Sequence, residues 1–76
     1  MTGRLPSCTA RDVDAALRQG GFVLVHQRGS HRYHSSPVTG KIVTAVPTHP
    51  GDLKRSLLKK IIRDAGLTDD EFRKLL

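Results

Sequence analysis

The feature that most constrains the fold is an apolar run in the second half of the chain. Its members recur at the spacing of one helix face: Leu53, Leu57, Leu58, Ile61, Ile62 and Ala65. This spacing predicts an amphipathic α-helix. Asp52 is placed to cap the start of that helix, and Gly66 is placed to stop it. A helix of this kind buries its apolar face against another element of the fold.

Three short segments ahead of this helix have the composition of β-strands, because β-branched and aromatic residues are concentrated in them. In chain order we place the strands at Phe22–Arg28, Ser30–Ser35 and Lys41–Val46. The Gly29-Ser30 turn joins the first two as an antiparallel pair, and Pro37–Gly40 forms the second turn. Pro47 is expected to end the third strand. Together the segments predict a three-stranded β-meander.

Two capping patterns predict further helices on either side of these elements. Thr9, with Asp12 three residues later, marks the start of a first helix that Gly20-Gly21 ends. Thr68 with Glu71 is a second capping box, and it marks the start of a short C-terminal helix. The chain is therefore expected to begin with one helix and to end with two.

The predicted order of elements is α-β-β-β-α, followed by a short terminal helix. A three-stranded antiparallel sheet cannot bury its apolar face alone, and two helices can cover it. We therefore predict an α+β fold like that of a double-stranded RNA-binding domain, with the helices on one face of the sheet. At 76 residues, we expect a single domain over residues 1–76 with room for one small core.

The balance of charge favours a polyanionic partner. The 13 Lys and Arg residues outnumber the 7 Asp and Glu residues, so the net charge is +6, which suits nucleic acid, an acidic membrane surface or an acidic protein. Cys8 is the only cysteine, so no internal disulfide and no Cys-rich zinc site is expected. No apolar run approaches the roughly 20 residues that span a bilayer. We expect a cytoplasmic protein without a metal or other cofactor.

His31 is the first candidate for acid–base chemistry, because histidine transfers protons near neutral pH. It follows the Gly29-Ser30 turn at the start of a predicted strand, where a side chain is held firmly and can still be reached by a large substrate. The spacing leaves two alternatives equally open. His31 is either a catalytic residue or a strand residue that turns inward on the same side as Tyr33.

The remaining histidines are weaker candidates. His49 lies in a loop between two prolines, which would orient its ring, and it is either a secondary site residue or a solvated loop residue. His26 and His34 lie within predicted strands, and we assign both a structural role. The spacing of the four histidines matches no familiar metal motif, so we expect no metal site.

The predicted second helix is strongly basic, with Asp64 as its only carboxylate. Its basic residues are Lys54, Arg55, Lys59, Lys60 and Arg63. Three of them, at positions 55, 59 and 63, form a ladder on one face that can neutralise phosphates. Arg28 and Arg32 flank the Gly29-Ser30 turn and extend the basic surface toward His31. The alternatives are a solvated helix face and a docking surface for an acidic protein.

Several short stretches between about Arg11 and Leu76 match one family in order and spacing. They are Gly21–Val25, Gln27–His31, Val46-Pro47 with His49, Leu53-Lys54, Leu57–Thr68 and Glu71-Phe72. In these stretches the chain resembles the HicA family, the toxins of type II toxin–antitoxin pairs. The resemblance implies a fold like the double-stranded RNA-binding domain, an mRNA interferase activity, and a HicB-like antitoxin that covers the active histidine. It also implies that His31 is catalytic and that His49 is the family's second histidine.

The sequence therefore predicts a toxin that acts as a metal-independent endoribonuclease on mRNA, with His31 as general acid/base. The predicted RNA-binding residues are Arg28, Ser30 and Arg32 at the turn, together with the five basic residues of the second helix. The expected partners are mRNA and a HicB-like antitoxin. The alternative functions are a non-catalytic RNA-binding module of the same fold and a basic protein-interaction domain.

Overall fold

A computed structural model of the chain describes residues 5–48 and 50–76. In chain order, the elements are α1 (Ala10–Gln19), β1 (Val23–Arg28), β2 (His31–Ser35), β3 (Ile42–Pro47), α2 (Arg55–Asp64) and α3 (Asp69–Leu75). The strands form one antiparallel sheet in the order β1-β2-β3, so β1 and β3 are its edges. The predicted α+β class, the α-β-β-β-α order and the short terminal helix are confirmed.

Both predicted capping boxes are formed. The Thr9 hydroxyl oxygen accepts a hydrogen bond from the Asp12 N–H, and the Asp12 carboxylate accepts one from the Thr9 N–H. Thr68 and Glu71 exchange the same pair of bonds at the start of α3. α1 ends at Gly20, as the glycine pair predicts. The capping residues therefore locate both ends of α1 and the start of α3.

The predicted start of α2 is wrong. Its N-cap is Lys54, whose side chain makes no capping hydrogen bond, and the helix begins two residues later than an Asp52 cap requires. Asp52 instead forms an antiparallel bridge with Thr9, and the Leu53 N–H donates to the Cys8 carbonyl oxygen over 2.8 Å. This pairing keeps the backbone at residues 52–53 extended, so those two residues cannot form the first turn of a helix.

The strands differ from their predicted bounds by one residue. β1 begins one residue later, because the Phe22 N–H donates to the Leu17 carbonyl oxygen over 2.9 Å and closes the end of α1. β2 likewise begins after Ser30. β3 is shifted toward the C-terminus and includes Pro47, which pairs in register with His31. The prediction that Pro47 lies beyond the strand is wrong, because an edge strand tolerates a residue without an N–H.

The core lies between the three helices and one face of the sheet. Each helix contributes a side chain that is almost fully buried: Leu17 from α1, Leu58 from α2 and Phe72 from α3. Val46 of β3 is fully buried beside them. The apolar periodicity of the sequence therefore identifies the residues that form this core.

α1 and α2 cover the same face of the sheet, as predicted. His34 and Thr44 are register partners on β2 and β3, so their side chains point to the same side. His34 Nε2 lies 2.7 Å from an Asp14 carboxylate oxygen of α1, and the Thr44 hydroxyl donates to the Ile61 carbonyl oxygen of α2 over 3.4 Å. β1 lies outside this cover, and all six of its residues are exposed.

Candidate functional site

His31 is the first residue of β2, and it is exposed. Gly29, in the turn before it, has a φ of 57°, a left-handed conformation that glycine adopts without steric cost. The Ser30 carbonyl oxygen accepts two hydrogen bonds from Thr48, from its N–H at 2.6 Å and from its hydroxyl at 3.0 Å. These bonds tie the turn to the segment after β3, so the backbone next to His31 is held in place.

His31 lines an open cavity of about 330 Å³ at the β3 edge of the sheet, next to α2. Pro47 of β3 forms part of its wall, and α2 contributes Leu57, Lys60 and Asp64. The Lys60 ammonium donates to the Asp64 carboxylate over 2.6 Å. An imidazole, an ammonium group and a carboxylate therefore share one accessible recess. Groups of these kinds can move a proton and stabilise a developing negative charge.

The two sides of β2 have different surroundings. This difference shows whether His31 turns inward, an alternative that the sequence leaves open. Arg32 and His34 point toward α1, where both contact Asp14. His31 and Tyr33 alternate with them and lie on the other side of the strand. Tyr33 is only half-buried, and His31 is exposed. The covered side of β2 is therefore the side of His34.

The other three histidines lie outside the His31 cavity or outside the described residues. His34 is buried, with 2% of its surface exposed, and it faces Asp14. His26 is exposed on β1, and its ring centroid lies 5.7 Å from that of Tyr33. His49 is not among the described residues. The structural role assigned to His34 fits its burial.

Asp14 is a buried carboxylate with three charged or polar partners, and the sequence does not single it out. It is buried in α1, where its carboxylate lies 3.3 Å from Arg32, 3.5 Å from Arg18 and 2.7 Å from His34. The available signal was its position four residues after Ala10 and close to the apolar stripe of α1. A carboxylate at such a position needs cationic or hydrogen-bonding partners, because burying it alone is costly.

Two of the predicted RNA-binding cations lie close to His31 in the fold. Lys60 lines the same cavity. Arg28 is exposed at the end of β1 and pairs in register with His31. Ser30 is also exposed, in the turn between them. Lys54 is exposed at the N-cap of α2 and is not among the cavity residues.

The predicted ladder of Arg55, Lys59 and Arg63 is not at the His31 cavity. At about 100° per residue, positions 55, 59 and 63 lie on a different side of α2 from positions 57, 60 and 64, which line that cavity. Arg55 donates to the Leu5 carbonyl oxygen, and the Lys59 ammonium pairs with Asp69 over 2.9 Å. The role of this ladder in RNA binding stays a prediction.

Residues 5–48 and 50–76 contain neither a metal-binding cluster nor a membrane-spanning helix. In that part of the chain, no three His, Cys, Asp or Glu side chains are grouped closely enough to hold a metal ion. No helix there is both long enough and apolar enough to cross a membrane.

The fold and the site together define a small, basic α+β protein with an exposed histidine at the turn between its first two strands. The chain belongs to the HicA toxin family, because the family model for the HicA toxins of bacterial toxin–antitoxin pairs matches residues 10–67. The match runs from α1 to just past α2, so it includes His31 and Lys60. The resemblance drawn from the short sequence stretches is confirmed. No curated protein sequence matches the chain.

Proposed function

We propose that this toxin is an endoribonuclease that cleaves mRNA without a metal ion, with His31 as its general acid/base. The observation that carries the proposal is the exposed His31 side chain at an open cavity that also holds Lys60. Membership of a toxin family supports it. So does the net charge of +6, because a polyanionic substrate is attracted to a basic surface.

The proposed reaction is attack of a ribose 2′-hydroxyl on the adjacent phosphorus. The His31 imidazole takes the proton of that hydroxyl as the bond between the 2′-oxygen and phosphorus forms. The bond from phosphorus to the leaving 5′-oxygen breaks, and that oxygen receives a proton from the imidazolium. Lys60 and Arg28 offset the negative charge that builds on the phosphate oxygens.

The remaining predicted RNA-binding residues are proposed as contacts away from the cleaved bond. Ser30 belongs to the turn beside His31. The exposed basic residues of α2 and its cap, Lys54, Arg55, Lys59 and Arg63, would hold phosphates farther along the strand. Arg32 points to the other side of β2, so its contact must be separate from the His31 cavity. His49 is kept as a secondary candidate.

The proposed function is tested by cleavage of RNA with wild-type protein and a His31→Ala variant, both in the presence of a chelator. We expect the variant to lose about 10²–10⁴-fold in rate, the usual contribution of a positioned acid or base. His26→Ala is the matched control, because His26 is exposed on the same sheet and does not line the cavity. It should cleave at the wild-type rate.

Three results would contradict the proposal or part of it. Equal cleavage by wild type and His31→Ala would remove His31 from the mechanism. Loss of wild-type cleavage on chelation would overturn the metal-free step. Salt-sensitive binding of RNA without any cleavage would select the non-catalytic RNA-binding module.

We also propose a HicB-like antitoxin as the protein partner of this toxin. The exposed position of His31 supports this partner, because a protein that covers the cavity also blocks access of RNA to the imidazole. The basic surface favours an acidic covering face on the partner.

A further inference from the structure

A second cavity, of about 460 Å³, lies between α1 and the sheet. Three arginines line it: Arg11 and Arg18 from α1, and Arg32 from β2. Asp14 and Thr48 complete the polar part of its wall. We call it the arginine cavity. It shares no lining residue with the His31 cavity.

The arginine cavity keeps an excess of positive charge. Asp14 is the only carboxylate among its lining residues, so three guanidinium groups against one carboxylate leave a formal charge of +2. That carboxylate is already shared between Arg32 at 3.3 Å and Arg18 at 3.5 Å, and it also faces the buried His34. The Arg18 side chain is 74% exposed. Arg11 is exposed and has no ion-pair partner among the described residues.

The linings of the two cavities contain residues that are neighbours along the chain at one corner of the sheet. His31 and Arg32 are consecutive on β2, and the first lines the His31 cavity while the second lines the arginine cavity. Pro47 and Thr48 are also consecutive, and Pro47 lines the His31 cavity while Thr48 lines the arginine cavity. The hydrogen bonds from Thr48 to the Ser30 carbonyl oxygen hold this corner together. A strand that crosses the corner would therefore pass from one cavity to the other.

We propose that the arginine cavity binds a phosphodiester group of the same RNA strand that reaches His31, so this inference rests on the proposed function. Guanidinium groups suit the task, because their paired N–H donors match two phosphate oxygens. RNA carries a negative charge at every nucleotide, so one continuous strand can supply a phosphate on each side of the corner. An acidic protein segment would need carboxylates placed to match both cavities.

The test measures binding of a short single-stranded RNA with methylated 2′-hydroxyls, which the proposed reaction cannot cleave. The test variant is Arg11→Gln with Arg18→Gln. Arg32 is left intact because its side chain is partly buried against Asp14, whereas the Arg18 side chain is 74% exposed. The matched control is Arg73→Gln with Lys74→Gln on α3, which removes the same charge from residues that line neither cavity. Thermal unfolding of each protein verifies that it is folded.

We expect the Arg11/Arg18 variant to bind this RNA about tenfold more weakly at low salt, as loss of a charge-assisted contact implies. The slope of log affinity against log salt should become shallower by roughly 0.7 to 1, the contribution of one phosphate. The control should keep the wild-type slope. An unchanged slope in the test variant would overturn the proposal. Unchanged RNA binding with weakened antitoxin binding would also overturn it, in favour of a protein-docking cavity.

Failure of this inference can be told apart from failure of the proposed function. If unmodified RNA is not cleaved, but binding of methylated RNA depends on Arg11 and Arg18, the arginine cavity stands and the nuclease is rejected. If cleavage depends on His31, but the Arg11/Arg18 variant binds with the wild-type affinity and slope, the nuclease stands and the arginine cavity is rejected.

Discussion

Asp14 joins α1 to the sheet through a nearly buried polar cluster. Its carboxylate faces Arg32 at 3.3 Å and His34 at 2.7 Å, and both belong to β2. A buried ion pair adds little over an apolar contact, but removal of one partner is costly because the other is left uncompensated. We therefore expect substitution of Asp14 to weaken the packing of α1 on the sheet.

An Asp14→Ala variant should lose about 3 kcal/mol of unfolding free energy, because the buried His34 and the partly buried Arg32 would both lose their carboxylate partner. Urea denaturation measures the loss. Asp69→Ala is the matched control, because Asp69 pairs with Lys59 while both side chains are about half exposed, and it should lose less than about 1 kcal/mol. Equal losses of unfolding free energy in the two variants would show that the Asp14 cluster stabilises the fold no more than an exposed ion pair.

The sequence identifies some of the important single residues and not others. His31 was identified from its place after a glycine turn and from family resemblance, but strand alternation left its orientation open. Its orientation depends on which side of β2 meets α1, and that is the side on which Arg32 and His34 contact Asp14. Asp14 was missed because a carboxylate within a helix is usually solvated, and its partners lie 18 and 20 residues away.

At the scale of the elements, local patterns located a helix end wherever both partners lie within a few residues. The Thr9 and Thr68 capping boxes are of this kind, and both are formed. The start of α2 was misplaced because Asp52 bridges to Thr9, a distant residue that no local pattern includes. The direction in which the basic ladder of α2 points was also out of reach, since it depends on how α2 packs on β3.

A Thr68→Ala variant should lose about 1 kcal/mol of unfolding free energy, because α3 would lose the side-chain acceptor of its N-cap. The bond lost is the one from the Glu71 N–H to the Thr68 hydroxyl oxygen, at 3.0 Å. Chemical denaturation measures the change. Ser7→Ala, at an exposed residue outside the helices, should change stability by less than about 0.5 kcal/mol. A silent Thr68→Ala would mean that α3 is held by packing alone.

At the scale of the whole molecule, element order and net charge were predictable, but the distribution of charge was not. Lys60 lines the His31 cavity, three arginines line the arginine cavity, and Lys59 lies on the outer side of α2 beside Asp69. This division depends on packing between α1, α2 and the sheet, because each helix presents only one side to each cavity. The sequence therefore predicts how many charges each element carries. It does not predict which charged residues of different elements share a cavity.

The proposed HicB-like antitoxin should bind faster at low salt than at high salt, because its acidic face would be attracted by the net charge of +6. The complex should stop RNA cleavage and protect His31 from acylation by diethyl pyrocarbonate. Stopped-flow binding and mass spectrometry of the modified histidines measure the two effects. His31 that stays reactive in an inhibited complex would contradict inhibition by covering the cavity.

The two hydrogen bonds from Thr48 to the Ser30 carbonyl oxygen connect the His31 cavity with the arginine cavity. The carbonyl they hold is next to His31, and the Thr48 that donates them is part of the arginine cavity wall. Loss of this junction would free the backbone next to His31 and one wall of the arginine cavity at the same time, so the proposed cleavage and the proposed phosphate binding should weaken together.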